Sequence, residues 1–398
     1  MTTYEAIHTK VSMYHQEHLV DFYHELDEHE QQALLKQIDQ LDLSSIPSMT
    51  AKGEQTNTSI TALPSQSALE LADQEKAQLY NRGVSLLSEG KVAVVLLAGG
   101  QGTRLGHVGP KGTVTMDDTP ETSLFALQAK QIQAQQREAN VQIPWYIMTS
   151  PINDKDTRTF FADNHYFGLK REQVTFFIQD VSPAITPEGK IILADKGQIF
   201  QAPNGNGGVF TSMKKAGILK EMKANGIEWI FFNNIDNALV QVADPLFIGY
   251  ADRDGADIST KSVKKVTPSE KVGVLGQRDG KPAVIEYSEL TEEERHHPLL
   301  QDANIGIHLF KLDFLYRTAD ASLPYHLAHK KIPSIATDGT KIDPVEPNGY
   351  KLELFYFDVF PLASSMTIFQ VDRENEFLPV KNKTGQDSLE EARTRFSS

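Results

Sequence analysis

The chain has 398 residues, of which 40% are apolar and 23% charged, with a net charge of −14 and no cysteine. That length and balance suit a globular protein with one large domain or a few smaller ones. The missing cysteines exclude disulfides, thiolate metal sites and cysteine nucleophiles, and the acidic balance argues against a nucleic-acid partner while allowing a local basic site for one nucleotide.

In chain order, residues 1–5 carry neither a basic nor an apolar segment, so no signal peptide is expected. No apolar run approaches the ~18–20 residues that span a bilayer. A cytoplasmic protein without membrane contact or an evident partner protein is the expectation. Residues 1–43 lack Gly and Pro, and Leu19, Phe22, Tyr23 and Leu26, then Leu34, Leu35, Ile38 and Leu41, recur at helical spacing. This predicts a helical N-terminal extension. Residues 44–66, rich in Ser, Thr, Pro and Gly, read as a linker or a strap, and a helix is predicted over 68–87, stopping at Gly90.

The pattern then changes. Residues 91–97 form a short apolar run ending in glycines, as a buried strand does. Helices are predicted over 123–137, 154–164 and 212–225, and strands over 145–149, 174–179 and 229–233. This alternation predicts an α/β domain with a mixed, mainly parallel sheet. Residues 257–287 read as short strands and turns, and the tail from Gly339 as strand, helix, strand and a polar end. The expected organisation is an extension with linker over 1–89, a catalytic domain over 90–338 and a small α+β segment over 339–398.

Directly after the run at 91–97 comes Leu97-Ala-Gly-Gly-Gln-Gly-Thr-Arg-Leu-Gly106, with Pro110-Lys111 beyond it. Glycines let a backbone approach a ligand closely, and successive N–H groups in such a loop can nest an anion. Arg104 and Lys111 add charge, Arg as a fork and Lys as a point. The dinucleotide fingerprint does not fit, because its third glycine would fall on Leu105, and no Walker sequence is present. Asp236 ends an apolar run, where a carboxylate overlooks the ligand crevice of a parallel sheet. It also reads as a turn or cap aspartate. On the residues alone, Gln179, Glu286 and Lys381 are equally ordinary surface side chains. His24-Glu-Leu-Asp-Glu-His29 is one residue too long for the zinc-protease spacing.

The glycine-rich stretch with its Pro-Lys resembles the signature of UDP-sugar pyrophosphorylases, and most closely the eukaryotic-type UDP-N-acetylhexosamine pyrophosphorylases. The resemblance extends to Trp145-Tyr-Ile-Met-Thr-Ser150, His165-Tyr-Phe-Gly-Leu-Lys170, Ala202-Pro-Asn-Gly-Asn-Gly-Gly208, Asp236-Asn237, Val242-Ala-Asp-Pro245, Glu286-Tyr-Ser-Glu289, Asn304, Pro347-Asn-Gly349 and Val380-Lys-Asn382. It covers about residues 90–383. It implies a Rossmann-like nucleotidyltransferase domain that joins UTP to a sugar 1-phosphate. By the same resemblance Leu97, Ala98, Gly99, Gly100, Gly102, Thr103, Gln179 and Gly205 hold the nucleotide. Arg104, Lys111 and Lys381 neutralise phosphates, Asn206, Glu286 and Asn304 bind the sugar, and Asp236 holds Mg2+. Asn204 stands where the family often has Asp. N-acetylglucosamine 1-phosphate is the expected acceptor. A glucose-specific or broad-specificity enzyme, and a non-catalytic nucleotide-sugar-binding protein, are the alternatives.

Overall fold

The structure, a computed structural model, describes residues 3–46 and 59–397. Its contacts define two compact units. The larger comprises the described part of Asn57–Gln179, with Val209–Ala321 and the described part of Tyr356–Ser398. The smaller comprises Asp180–Gly208, Ser322–Phe355 and the described part of Met1–Thr56.

The larger unit is built on an eleven-stranded sheet among the described residues. Its strands are β1 (Ile60–Thr61), β2 (Ser65–Ser67), β3 (Val92–Leu97), β4 (Trp145–Thr149), β5 (Val174–Ile178), β6 (Trp229–Asn234), β7 (Ile258–Lys264), β8 (Val274–Arg278), β9 (Lys281–Ile285), β10 (Asp302–Lys311) and β11 (Met366–Gln370). The main path runs β2-β11-β7-β10-β6-β3-β4-β5. The pairs β6–β3, β3–β4, β4–β5, β7–β11 and β11–β2 are parallel, and β10 runs antiparallel to β6 and β7. The expected mixed, mainly parallel α/β architecture is therefore the one observed. Every residue of β3 and β4 is buried, as a strand covered on both faces requires. Trp145, Phe125 and Phe161 fill one side, the last two with ring centroids 4.9 Å apart.

The local signals explain most boundaries. Ser123 caps helix Leu124–Ala139 by accepting from Ala126 N–H at 3.2 Å. Asp279-Gly280, both at positive φ, turn β8 into β9. The helix predicted over 212–225 is two helices, Val209–Lys215 and Ile218–Ala224, because Gly217 takes φ +75° between them. The polar end of the tail is a helix, Leu389–Ser397, whose Leu389 and Ala392 are buried. Among the described residues no helix is long and apolar enough to cross a membrane.

Helices Asp73–Ser88 and Pro245–Asp254 touch backbone to backbone. A Cβ on Gly83 would lie 1.9 Å from the Pro245 carbonyl oxygen, and one on Gly249 would lie 1.9 Å from the Leu79 carbonyl oxygen. Neither obstacle is a flexible side-chain end, so the helices would have to separate. Gly83→Ala is expected to cost roughly 1–3 kcal/mol, the usual penalty of overpacking, read as a lower unfolding midpoint. An unchanged midpoint would show that the crossing is slack.

In the smaller unit, helices Tyr4–Met13 and Glu28–Asp39 pack Ile7, Val11, Leu34, Leu35 and Ile38 against Ile185, Ile191, Leu193 and Leu352. Lys10 Nζ donates to the carbonyls of Ile38, Asp39 and Leu41 at 3.0, 2.8 and 2.7 Å, closing the second helix's C-terminus. The N-terminal region is thus helical as expected, but its apolar face is spent on hairpins from later in the chain. The units consequently cut across the linear division at 89 and 338. Of the linker read over 44–66, residues 47–58 lie outside the described residues, and Ile60–Thr61 and Ser65–Ser67 add strands to the sheet.

Candidate active site

The four strands β6, β3, β4 and β5 are parallel, so the segments that follow them emerge on one edge. The chain runs from β3 outward through β4 and β5, then places β6 on the other side of β3. The strand order reverses between β3 and β6, which is where open α/β sheets bind ligands. The antiparallel β10 pairs Ile307 with Asn233, so its preceding residues, Asn304 among them, lie toward the same edge.

Behind β3 the glycine loop folds onto itself. Lys111 N–H donates to the Gly100 carbonyl at 3.0 Å and Gly102 N–H to the Gly109 carbonyl at 2.9 Å. Leu97 and Ala98 are buried, Gly102 is buried, and Thr103 and Arg104 are exposed. Gln179, which follows β5, is 6% exposed, and its Oε1 lies 2.4 Å from where a Gly99 Cβ would stand. A side chain at position 99 would displace this glutamine. Among the described residues nothing lies within 4 Å of the corresponding point on Gly100.

Asn153 holds the loop in place, a role with no linear signal. Fully buried, its Nδ2 donates to the carbonyls of Ala98 and Gly100 at 2.9 and 3.2 Å. Its Oδ1 accepts from Ser150 N–H at 2.8 Å. One amide thereby ties the segment after β3 to the segment after β4.

The charged residues converge. Lys111 Nζ stands 3.7 Å from Asp236 Oδ2, with both side chains largely sheltered. Burial lowers the Lys111 pKa, Asp236 opposes it, and the positive charges of Lys381 and Arg104 lower it further. Two cations of the glycine loop, Arg104 and Lys111, and the distant Lys381 therefore act on one another. Lys381 also faces Asp387 at 3.5 Å. Such a cluster of like charges is stabilised by a polyphosphate, which supplies the missing anion. It lies in a chain of net charge −14, so the positive field is local.

Lys381 reaches the cluster because the segment before it is hydrogen-bonded to the segment bearing Asp236. Val380 N–H donates to the Asp236 carbonyl at 2.8 Å and Ala238 N–H to the Leu378 carbonyl at 3.0 Å. Asn237 Nδ2 donates to the Glu376 carbonyl at 2.7 Å, and its Oδ1 accepts from Leu378 N–H at 2.9 Å. Beneath them lies a fully buried ammonium, Lys261 on β7. Its Nζ contacts Asp244 Oδ2 at 2.7 Å and also Glu376. Burial works against this charge, but the two carboxylates outweigh it and raise the Lys261 pKa. This triad is invisible in the linear sequence.

Asn304 is half-buried on β10, and its Oδ1 accepts from Gly306 N–H at 3.0 Å. Glu286 is exposed just after β9, near Gly273. Gly205 and Asn206 belong to the smaller unit. There Gly205 takes φ +82°, and a Cβ on it would meet the Leu354 carbonyl oxygen at 2.5 Å. Asn204 is 6% exposed, and its Oδ1 has no hydrogen-bond partner among the described residues. In the motif at 165–170, His165, Tyr166 and Phe167 all take positive φ, and the Tyr166 and Phe167 rings pack on Phe161.

A doubly wound sheet carrying a glycine-rich loop, converging cations and a carboxylate at its switch point has the build of a nucleotidyltransferase. The chain belongs to the UTP–glucose-1-phosphate uridylyltransferase family, whose model matches residues 44–390. It is 38% identical to the UDP-N-acetylglucosamine diphosphorylase 2 of Arabidopsis thaliana, over 98% of this chain and 82% of that protein. It is 37% identical to the UDP-N-acetylglucosamine pyrophosphorylase of Saccharomyces cerevisiae, over 88% of this chain and 77% of that one. Among solved structures it is similar to the uridine diphosphate N-acetylglucosamine pyrophosphorylase of Trypanosoma brucei, with a TM-score of 0.83 and 31% identity over 97% and 82% of the two chains.

Proposed function

We propose that this enzyme transfers the uridylyl group of UTP to a sugar 1-phosphate, foremost N-acetylglucosamine 1-phosphate, and releases pyrophosphate. The observation that carries the reading is the pairing of Lys111 with Asp236 at the switch point, with the charges of Arg104 and Lys381 acting on the same ammonium. The choice of sugar rests on the relatives, which are named for UDP-N-acetylglucosamine.

In this reading an oxygen of the sugar 1-phosphate bonds to the α-phosphorus of UTP. The bond from that phosphorus to the oxygen bridging toward the β-phosphate breaks, and pyrophosphate leaves with that oxygen. The attacking oxygen is already anionic, so no general base is required. Catalysis is then positioning plus charge neutralisation. In the larger unit, Leu97, Ala98, Gly99, Gly100, Gly102 and Thr103, with Gln179, hold the nucleotide. Arg104, Lys111 and Lys381 take the phosphate charge, and Glu286 and Asn304 hold the sugar.

Among the described residues no group of three or more His, Cys, Asp or Glu side chains could hold a metal ion. Asp236 alone is enough for Mg2+, which takes one or two carboxylates and completes its shell with water and substrate phosphates. When bound, the ion neutralises charge on those phosphates.

The test is pyrophosphate release from UTP and magnesium with a panel of sugar 1-phosphates: N-acetylglucosamine, N-acetylgalactosamine, glucose and galactose. Release that depends on N-acetylglucosamine 1-phosphate is expected. Release only with glucose 1-phosphate would move the enzyme to a UDP-glucose specificity, and UTP binding without release from any sugar would favour the non-catalytic reading.

A further inference from the structure

Helix Leu389–Ser397 is bonded to both of the segments that carry Lys381 and Lys111, and the proposed reaction gives it no part. Its connection to Lys381 is made by backbone. The N–H groups of Lys381 and Asn382 both donate to the Asp387 carbonyl, at 2.7 and 3.1 Å, and Leu389 N–H donates to the Asn382 carbonyl at 2.9 Å. Asn382 Nδ2 closes this loop by donating to the Gln386 carbonyl at 3.1 Å. Asp387 takes φ +56° at the turn, and its carboxylate lies 3.5 Å from Lys381 Nζ. Ser388 Oγ accepts from Glu391 N–H at 3.1 Å and so caps the helix, whose Leu389 and Ala392 are buried in the main core. Lys381 is thereby fixed to the head of this helix.

The second connection is a side chain. Arg393, one turn into the helix, donates from Nε to the Thr115 carbonyl at 3.2 Å. Thr115 follows the short turn that begins at Lys111, in which Val114 N–H donates to the Lys111 carbonyl at 3.1 Å. That turn has a floor of its own. Leu124 N–H holds the Val114 carbonyl at 3.0 Å, and a Cβ on Gly112 would lie 2.2 Å from the ring of the fully buried Phe125. The floor fixes how deep Lys111 sits, and the Arg393 bond ties the turn to the side that carries Lys381. Between the glycine loop and the helix lies a cavity of about 820 Å³, lined by Leu105 and His107 from the loop and by Lys383 and Arg393 from the C-terminal part. The Arg393 bond therefore spans a cleft, where no tight packing could take its place.

We propose that helix Leu389–Ser397 is a clasp that fixes the spacing of Lys381 and Lys111, with Arg393 as its positioning residue. The proposal rests on the phosphate-binding roles given to the two lysines above. Two cations that share one polyphosphate hold it best when their separation is set before it arrives, because otherwise binding must also order them. Without the Arg393 side chain the Lys111 turn keeps its floor and loses its tie to Lys381. The protein should stay folded, since Arg393 is exposed.

Calorimetric titration of UTP and of UMP, each with magnesium, separates the two claims, because UTP alone carries the two further phosphates. Lys111→Ala should weaken UTP about tenfold more than UMP, as the loss of one charged contact does. Arg393→Ala should weaken UTP about fivefold and leave UMP unchanged, matching one lost hydrogen bond. Arg393→Lys, which keeps a donor for the Thr115 carbonyl, should restore most of that affinity. In the Lys111→Ala protein, adding Arg393→Ala should weaken UTP by less than about twofold, since the two residues act as one unit. If Lys111→Ala weakens UTP and UMP alike, the phosphate-binding role of Lys111 fails. If Lys111→Ala selects against UTP but folded Arg393→Ala does not, or if the two losses multiply in the double variant, the clasp is wrong.

Discussion

Replacing Lys111 with Ala should lower kcat by about 100- to 1000-fold, the usual cost of removing one preorganised electrostatic group, while the protein stays folded. Lys111 is the one cation of the cluster that is largely buried, with its ammonium 3.7 Å from Asp236. A charge sheltered from water acts on a phosphate more strongly than an exposed one. It is also held against the opposition of Lys381 and Arg104, an arrangement that costs stability without an anion and repays it once a polyphosphate binds. The folded state should therefore lose little, on the order of 1 kcal/mol for a partly sheltered ion pair. Circular dichroism and a denaturant midpoint separate loss of chemistry from loss of structure. A folded Lys111→Ala variant turning over at the wild-type rate would remove Lys111 from the phosphate site. Lys111→Arg should recover only part of the rate, because a planar fork cannot reproduce a point charge in the same space.

The largest stability effect is expected from Lys261→Ala. The ammonium is fully buried and contacts Asp244 and Glu376, and Asp244 also caps helix Pro245–Asp254 through Leu246 N–H at 3.0 Å. Removing it leaves two carboxylates facing each other out of water. Breaking a buried ion pair from one side typically costs about 3–5 kcal/mol. The loss should depend on pH in a stated sense. Burial already raises the Glu376 carboxyl above its ordinary value, and Lys261 opposes that rise; without the lysine the folded state binds a proton there more readily still, so stability falls as pH rises through that range. The variant should therefore lie closest to wild type in mild acid and furthest from it at neutral pH. Denaturant midpoints at the two pH values test this. A neutral-pH deficit under ~1 kcal/mol would mean that water reaches the site and solvates the acids. Because Glu376 is tied to Asn237, and Val380 beyond it to Asp236, the same variant should also raise the KM for UTP by loosening Lys381.

The parts of the molecule legible in the sequence are those in which the cause is local. Strand β3 announces itself as an apolar run closed by glycines, and helix Leu124–Ala139 by Ser123 at its cap. The Asp279-Gly280 hairpin follows from the positive φ those two residues tolerate. The error over residues 212–225 has the same origin: helical periodicity continues across Gly217, and only its backbone geometry reveals the break. The final helix Leu389–Ser397 was hidden because two buried side chains in a polar stretch make too weak a stripe. The N-terminal helices were legible as helices, but not what they cover, since an amphipathic face does not state its partner.

By itself, then, the sequence determined the class of fold, the glycine-rich loop after β3 and, through its motifs, the family, because each is written in residues a few positions apart. The tertiary structure alone decided which charges act together. Lys111, Asp236 and Lys381 meet because β6 returns to the flank of β3 and the 376–380 segment pairs beside it, and that pairing depends on side chains such as Asn237, Lys261 and Asn153 whose partners lie far along the chain. Electrostatic and hydrogen-bond energies depend on distance in space, and the sheet, not the order of residues, sets those distances.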